Sequence, residues 1–204
     1  MTPRAVLVGL PGTGKSTTGR RLAKILAVPF ADSDDLVEAA QGRPVTDIFA
    51  ESGEPAFREL ESAAVIGALH DFDGILSLGG GALTTPATYE AIAGSGVAVV
   101  LLRASLQTLG DRVGDARSRP LLAGDTAARL RALADAREPA YTALATLTID
   151  TDNRTPGQVA AQIAARLHAQ SQPTRSQQPR SQPARSQPAR SQQPRPAQEG
   201  SLSS

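Results

Sequence analysis

Short, continuous apolar runs alternate with longer amphipathic stretches along most of this chain. The continuous runs predict buried strands near residues 5–8, 30–31, 74–78, 97–102 and 146–150. Apolar positions three and four residues apart predict helices at residues 15–26, 36–42, 44–50, 54–69, 86–93, 105–113, 126–144 and 156–169. Strand alternating with helix five times predicts an α/β fold, a three-layer sandwich in which helices cover both faces of a five-stranded parallel sheet.

The first predicted strand runs directly into a glycine-rich turn, Gly9-Leu10-Pro11-Gly12-Thr13-Gly14-Lys15-Ser16-Thr17. This turn fills every fixed position of the G-x-x-x-x-G-K-[ST] phosphate-binding motif, in the strand-to-helix setting that the motif requires. Its backbone N–H groups converge at the positive end of the helix dipole, which suits a polyphosphate. Lys15 is expected to reach the terminal phosphates and the Ser16 hydroxyl to ligate magnesium. The motif alone fits many nucleotide-binding proteins.

Two aspartates, Asp32 and Asp34, follow the second predicted strand. At a strand end this spacing puts both side chains on one side, at the sheet edge that faces the nucleotide. One carboxylate is suited to hold a magnesium-bound water, and the other to orient an acceptor hydroxyl and take its proton. A helix N-cap followed by acids that its dipole favours is an equally good interpretation of the same residues.

Two separated arginines have an ambiguous setting. Arg58 lies at helical spacing from Glu54 and Glu61, which fits a surface ion-pair ladder, but Phe57 beside it fits a pocket wall. Arg137 interrupts an apolar stripe, so we expect it to point inward towards an anion. The alternative is a guanidinium that extends past the neighbouring Tyr141 to solvent.

A proline and an arginine-rich loop lie near Arg137 in the sequence. Pro139 predicts that the helix ends or kinks there, which would place Arg137 near an element end. Residues 114–124 contain Arg117 and Arg119, follow Arg112 and have little periodicity. They are predicted to form a mobile, cationic lid that excludes water during phosphoryl transfer, with a charged surface loop as the alternative.

The combined motifs resemble those of the shikimate kinases, enzymes of bacterial aromatic amino acid biosynthesis with a P-loop nucleoside-monophosphate-kinase-like fold. The resemblance covers residues 4–168. It rests on residues 9–17, Asp32-Ser33-Asp34, Asp47-Ile48-Phe49, Gly53-Glu54, Phe57-Arg58, Leu78-Gly79-Gly80-Gly81, Arg119-Pro120-Leu121-Leu122, Arg137 with Pro139 and Tyr141, and Asn153-Arg154.

The resemblance implies ATP-dependent phosphorylation of the shikimate 3-hydroxyl, with Mg²⁺ as cofactor. The implied ATP-binding residues are Gly12, Thr13, Gly14, Lys15, Ser16, Thr17, Arg112, Arg119 and Arg154, with Arg112 and Arg154 beside the adenine. The implied shikimate-binding residues are Asp34, Arg58, Gly79, Gly80, Gly81 and Arg137, with the two arginines on its carboxylate. Asp34, as base, Lys15 and Arg119 are the implied catalytic residues. Ser16 and, through water, Asp32 would hold Mg²⁺, and the three glycines would replace the usual Walker B segment.

Three features depart from the family pattern. Glu138 follows Arg137 and is expected to compete for its guanidinium, and the extra acid Asp35 leaves the division of roles among the carboxylates open. The third departure is a C-terminal repeat of five residues in five copies, which has no counterpart in the family.

Composition and charge divide the chain at residue 170. Residues 1–170 hold 16 Lys and Arg against 19 Asp and Glu, whereas residues 171–204 hold five Arg and one Glu. The later segment has a proline in every repeat and almost nothing to bury, so it is predicted to be a disordered tail behind a kinase-like domain at 1–170.

The remaining expectations concern compartment and partners. The sequence has no Cys and only two distant histidines, so neither a disulfide framework nor a zinc site is predicted. Without a signal peptide or an apolar run near the ~18 residues that span a bilayer, we expect a cytoplasmic monomer without a membrane partner. The runner-up functions are a gluconate kinase and a nucleotide-dependent protein whose basic tail binds nucleic acid, a partner that we do not expect.

Overall fold

The computed structural model describes residues 1–113 and 126–171 of the chain. The predicted lid, with Arg117 and Arg119, and the predicted tail beyond residue 171 lie outside the described residues.

Five strands and seven α-helices alternate along these ranges. The strands are β1 (Ala5–Val8), β2 (Phe30–Asp32), β3 (Ile75–Ser77), β4 (Val99–Arg103) and β5 (Leu147–Asp150). The helices are α1 (Lys15–Leu26), α2 (Ser33–Gln41), α3 (Val45–Asp71), α4 (Pro86–Ser95), α5 (Leu106–Val113), α6 (Thr126–Leu144) and α7 (Pro156–Ser171). A 3₁₀ turn, Ala82–Thr84, precedes α4.

The strands form one parallel sheet in the order β2-β3-β1-β4-β5, with β1 in the centre. Because all strands point the same way, the segments that leave β1, β2 and β3 emerge side by side at one edge. That edge therefore brings together the phosphate-binding turn, the aspartates after β2 and the three glycines after β3. The predicted α/β sandwich with five parallel strands is confirmed.

Side chains of β1 alternate between two helix layers. Ala5 and Leu7 pack with buried residues of α1 and α7, whereas Val6 and Val8 pack with those of α3 to α6. Every residue of β1 is at most 1% exposed. The burial of both faces explains why the strand is continuously apolar rather than alternating.

Several predicted boundaries need correction. The predicted break before the second half of α3 is a single residue, Gly53, whose φ of 79° and ψ of 175° interrupt an otherwise continuous helix. Pro139 does not end its helix, because α6 continues to Leu144, so Arg137 lies inside the helix rather than near its end. The 3₁₀ turn after the glycines was not predicted, since three residues are too few to show a periodicity.

Candidate active site

The phosphate-binding turn connects β1 to α1. Its glycines have φ values of 144° at Gly9, 88° at Gly12 and 84° at Gly14, a region that other residues rarely adopt. Gly14 is the N-cap of α1, so the turn ends with the free N–H groups of the helix directed to one place. The Lys15 ammonium donates to the carbonyl oxygens of Gly9 at 2.8 Å and Leu10 at 3.2 Å, beside this place.

Asp32 ends β2 and is also the N-cap of α2, where its Oδ1 accepts from the Asp34 N–H at 3.3 Å. Asp34 is therefore in the first helical turn and not on an extended strand. The N-cap interpretation is right, and the strand-geometry argument for the two side chains is wrong. Asp32 nevertheless faces the phosphate turn, because its Oδ2 accepts from the Ser16 hydroxyl at 2.7 Å.

Asp34 is the carboxyl group with the most perturbed acidity in this region. Burial is the main cause that raises the pKa of Asp34 to about 6, and the nearby Asp32 and Glu61 carboxylates raise it further. Arg58 and Lys15 act in the opposite direction. A carboxylate with this pKa is ionised at neutral pH and is a stronger base than an exposed aspartate.

Arg58 forms the helical ion pairs and also lines a pocket, but the pairs are not a surface ladder, because Glu61 is fully buried. It pairs with Glu54, at 2.9 Å from Nη2 to Oε1, and with Glu61, but its side chain is only 14% exposed and lines a cavity. Burial lowers the pKa of Arg58, but the two carboxylates outweigh this effect, so the guanidinium stays charged. Its central carbon lies 5.2 Å from the centre of the Phe57 ring, which supports it from one side.

Glu61 also connects Arg58 to the first glycine after β3. Glu61 is fully buried and its Oε1 accepts from the Ser33 hydroxyl at 3.1 Å. The same hydroxyl accepts from the Gly79 N–H at 2.7 Å. A Cβ on Gly79 would stand 2.3 Å from Glu61 Oε1, and one on Gly81 would stand 2.2 Å from Arg58 Nη2. Close packing, and not the backbone angle, therefore favours glycine at these two positions, because a Cβ would force the end of the Glu61 or Arg58 side chain to shift.

Arg137 is 8% exposed and points inward from α6, as its place in the apolar stripe predicts. Its Nη1 is 3.3 Å from the position that a Cβ on Gly80 would occupy. The expected competition from Glu138 is wrong, because Glu138 turns away and pairs with Arg103 at the end of β4. Asp35 contributes to the cavity lining, but its side chain is 64% exposed and its Oδ2 lies 3.5 Å from Arg20 Nη2.

A cavity of about 440 Å³ at this sheet edge brings most of the predicted residues together. Among its lining residues are Lys15, Ser16, Asp32, Asp34, Arg58, Gly79, Gly80, Gly81 and Arg137. Its apolar wall includes Phe49 and Phe57, whose ring centres are 4.6 Å apart, and Leu133 of α6. One chamber thus has a phosphate-binding end, an acidic centre and an end that contains two arginines.

The predicted adenine-side residues lie elsewhere. The Arg112 guanidinium reaches the phosphate-binding turn, with Nη1 3.4 Å from the Gly12 carbonyl oxygen, and donates to Thr151 Oγ1 at 3.0 Å. Arg154 donates to the Gln162 side chain of α7 and to the carbonyl oxygen of Asp150, the residue next to Arg112's partner Thr151. Gly12, Thr13, Gly14 and Thr17 belong to the turn and first helical turn but do not line the cavity.

The sequence does not predict the residues that contact the site residues without lining the cavity themselves. The sequence indicates Ser33 only as part of the Asp32-Ser33-Asp34 triplet and Glu61 only as an ion-pair partner of Arg58. Ser77 was missed altogether: its hydroxyl is buried without a hydrogen-bond partner among the described residues. The one available signal was a polar residue inside an otherwise apolar strand, which does not specify a partner.

Comparison with known proteins gives consistent results. A family model for shikimate kinase matches residues 11–168. A shikimate kinase from Mycobacterium avium is 51% identical over 170 residues, which are 83% of this chain and 96% of that protein. A shikimate kinase from Acinetobacter baumannii, solved in complex with shikimate, has a TM-score of 0.78 and 30% identity, covering 84% of this chain and 95% of that one.

A solved gluconokinase from Sinorhizobium meliloti has a TM-score of 0.53 and 20% identity over 84% of this chain and 98% of that one. This likeness shows the shared fold alone.

The central parallel sheet, the phosphate-binding turn and the cavity beside it define a P-loop kinase. Within that class, the match over residues 11–168 and the 51% identity show that the chain belongs to the shikimate kinase family. It is a transferase with ATP as co-substrate, and no helix in the described ranges has the length and apolar character to cross a bilayer.

Proposed function

We propose that the chain transfers the terminal phosphoryl group of ATP to the 3-hydroxyl of shikimate, giving shikimate 3-phosphate and ADP in aromatic amino acid biosynthesis. The cavity that joins a phosphate-binding turn to two largely shielded arginines is the observation that supports this most. A P-loop at one end suits the donor, and separated guanidinium groups at the other suit a carboxylate-bearing alcohol. The molecule bound to the Acinetobacter baumannii relative is of that kind.

In this proposal Asp34 orients the acceptor hydroxyl and takes its proton as the phosphoryl group is transferred. Its raised pKa, about 6, keeps it ionised at pH 7 while making it a better base. Lys15 leaves the Gly9 and Leu10 carbonyl oxygens and binds the phosphates of ATP, where its charge offsets the charge that develops in transfer. The two catalytic groups line the same cavity, so donor and acceptor can meet between them.

Arg58 and Arg137 bind the acceptor carboxylate from α3 and α6, and the backbone at Gly79, Gly80 and Gly81 lies against the acceptor ring. Both guanidinium groups are largely shielded from water, which strengthens a charge-assisted hydrogen bond. Arginine suits this task because it stays charged and presents a planar fork of donors.

The residues present suit Mg²⁺, which would be held by Ser16 and, through water, by Asp32. Their oxygens are 2.7 Å apart, and Mg²⁺ takes few protein ligands when phosphates and water supply the rest. Ser77 pairs with Asp32 in the register of β2 and β3, and its orphaned hydroxyl fits an additional water there. When bound, the ion would offset the negative charge of the phosphates during transfer.

On the ATP side, we assign the phosphates to Gly12, Thr13, Gly14, Lys15, Ser16 and Thr17. We also assign Arg112 and Arg154 to the adenine and Arg119 to the phosphates. The contact of Arg112 with the Gly12 carbonyl supports its place next to the donor.

For the chain as a whole, we propose a catalytic domain at residues 1–170, a dispensable tail at 171–204, and a cytoplasmic monomer.

An acceptor screen tests the proposal. Release of ADP is measured with shikimate and with gluconate, using the Asp34→Asn variant to control for contaminating kinases. We expect kcat/KM for shikimate to be at least about a hundredfold higher, because a site built around specific polar groups discriminates strongly. Equal or faster turnover of gluconate would overturn the assignment of the acceptor.

A further inference from the structure

We propose that Tyr141 is a positioning residue that holds Arg137 and the Gly80 peptide in one fixed geometry for the acceptor. The proposal rests on the acceptor-binding role of Arg137 put forward above. Tyr141 does not line the cavity, so it acts through the two groups that do.

The Tyr141 side chain crosses from α6 to the loop after β3. Its hydroxyl donates a hydrogen bond to the Gly80 carbonyl oxygen, 61 residues away in the sequence. The residue is 3% exposed and belongs to the same buried cluster as Leu78, Leu130 and Ala134. The ring is therefore fixed by packing, and its hydroxyl is a rigid link between a helix and the glycine loop.

Arg137 lies one helical turn before Tyr141, against the same peptide. Its Nη1 is close enough to Gly80 that a Cβ there would stand 3.3 Å away. Burial raises the pKa of Tyr141 to about 12, although the Arg137 guanidinium beside the hydroxyl opposes this rise. The phenol consequently remains protonated, and so remains a donor to Gly80, throughout the range in which enzymes operate.

The two proposed acceptor arginines differ in what holds them. Arg58 is fixed by the carboxylates of Glu54 and Glu61. None of the ion pairs formed within the described ranges includes Arg137, and the nearest acid in sequence, Glu138, is engaged by Arg103. An arginine loses side-chain entropy when it is immobilised, since its long side chain has many rotamers in the free state. A neutral hydroxyl can reduce that loss in advance without competing with the acceptor carboxylate for the charge.

The test is a double-mutant cycle on the full-length protein: wild type, Tyr141→Phe, Arg137→Ala and the double variant. Tyr89→Phe in α4, the other tyrosine of the chain, is the matched control for loss of a phenol hydroxyl. We expect Tyr141→Phe to raise the KM for shikimate about tenfold, the size typical for a lost buried hydrogen bond near a charge. The KM for ATP should stay within about twofold of wild type, and Tyr89→Phe should change neither.

The decisive quantity is the effect of Tyr141→Phe in the Arg137→Ala background, where we expect it to fall below about twofold. If the tenfold effect persists there, Tyr141 supports the fold rather than Arg137, and the proposal is overturned. An unchanged KM in Tyr141→Phe overturns it as well. If Arg137→Ala itself leaves the shikimate KM unchanged, the proposed acceptor site is wrong, and the role of Tyr141 falls with it. Shikimate affinities from calorimetry without ATP provide the same cycle independently of turnover.

Discussion

Replacing Asp34 by Asn should stabilise the protein while it removes catalysis. Asp34 is partly buried beside two other carboxylates, Asp32 and Glu61, and folding therefore disfavours its ionised form. Asn has nearly the same shape and carries no charge. The substitution thus removes a charge that lowers the stability of the folded state. It also removes the proposed catalytic base.

The size of the effect follows from the pKa. A rise from 3.8 to about 6 means that the folded state opposes ionisation of Asp34 by about 3 kcal/mol at neutral pH. The Asn variant also loses the favourable interaction of the negative charge with the N-terminus of α2, which lowers its stability by up to about 1 kcal/mol. The net gain is about 2 kcal/mol, which for a domain of this size raises Tm by about 4–8 °C.

The sign of the pH dependence is a further constraint. Because the folded-state pKa is raised, wild-type stability declines relative to the variant as pH rises from about 4 to 6, and the difference is constant above. Below about pH 4 the carboxyl is protonated in both folded and unfolded states, so wild type and variant should melt alike.

The assay is thermal melting in metal-free buffer between pH 4 and 8, with ADP release measured in parallel. Asp35→Asn is the matched control, since Asp35 lies in the same helical turn but its side chain is 64% exposed. We expect no gain in Tm from the control, and a loss of about 10²-fold or more in kcat only for Asp34→Asn. A variant that melts at or below the wild-type temperature at pH 7, or a gain that persists at pH 4, would refute the reasoning.

Three further outcomes are expected. Arg58→Ala should raise the shikimate KM by an amount equivalent to about 2–5 kcal/mol, and the ATP KM far less. Arg4→Ala, which removes an exposed arginine paired with Asp73, should change neither KM. Similar rises for both substrates would place Arg58 outside the acceptor site. The kcat/KM for shikimate should fall about tenfold per pH unit below about pH 6, because protonated Asp34 cannot accept a proton, and a flat profile down to pH 5 would exclude it as the base. Removal of residues 172–204 should leave turnover within about twofold of wild type, while loss of activity would favour a function that depends on the tail.

The sequence was informative wherever a local pattern determines a local structure. The phosphate-binding turn and the limits of α1 and α6 follow from motif and periodicity, and they agree with the structure. The sequence did not show that Asp34 begins a helix, since an acid pair after a short strand fits two geometries equally well. Nor did it show that Pro139 is tolerated within α6, because tertiary packing decides whether a helix continues past a proline.

The contacts behind the site were the least predictable part. The link from Ser33 through Glu61 to Arg58, and that from Tyr141 to Gly80, join residues 28 and 61 positions apart. No periodicity or local motif encodes such distances. They depend on the order of the strands, which places β3 between β1 and β2.

The tight packing around the three glycines after β3 has a consequence for inhibitor resistance. Every single-base change that replaces a glycine by another amino acid adds at least a Cβ. At Gly79 and Gly81 that atom would stand 2.3 Å and 2.2 Å from the nearest side-chain atom, each belonging to a residue held by an ion pair. A compound that hydrogen-bonds to the backbone of this loop would therefore face few point mutations by which the enzyme could escape while remaining folded and active.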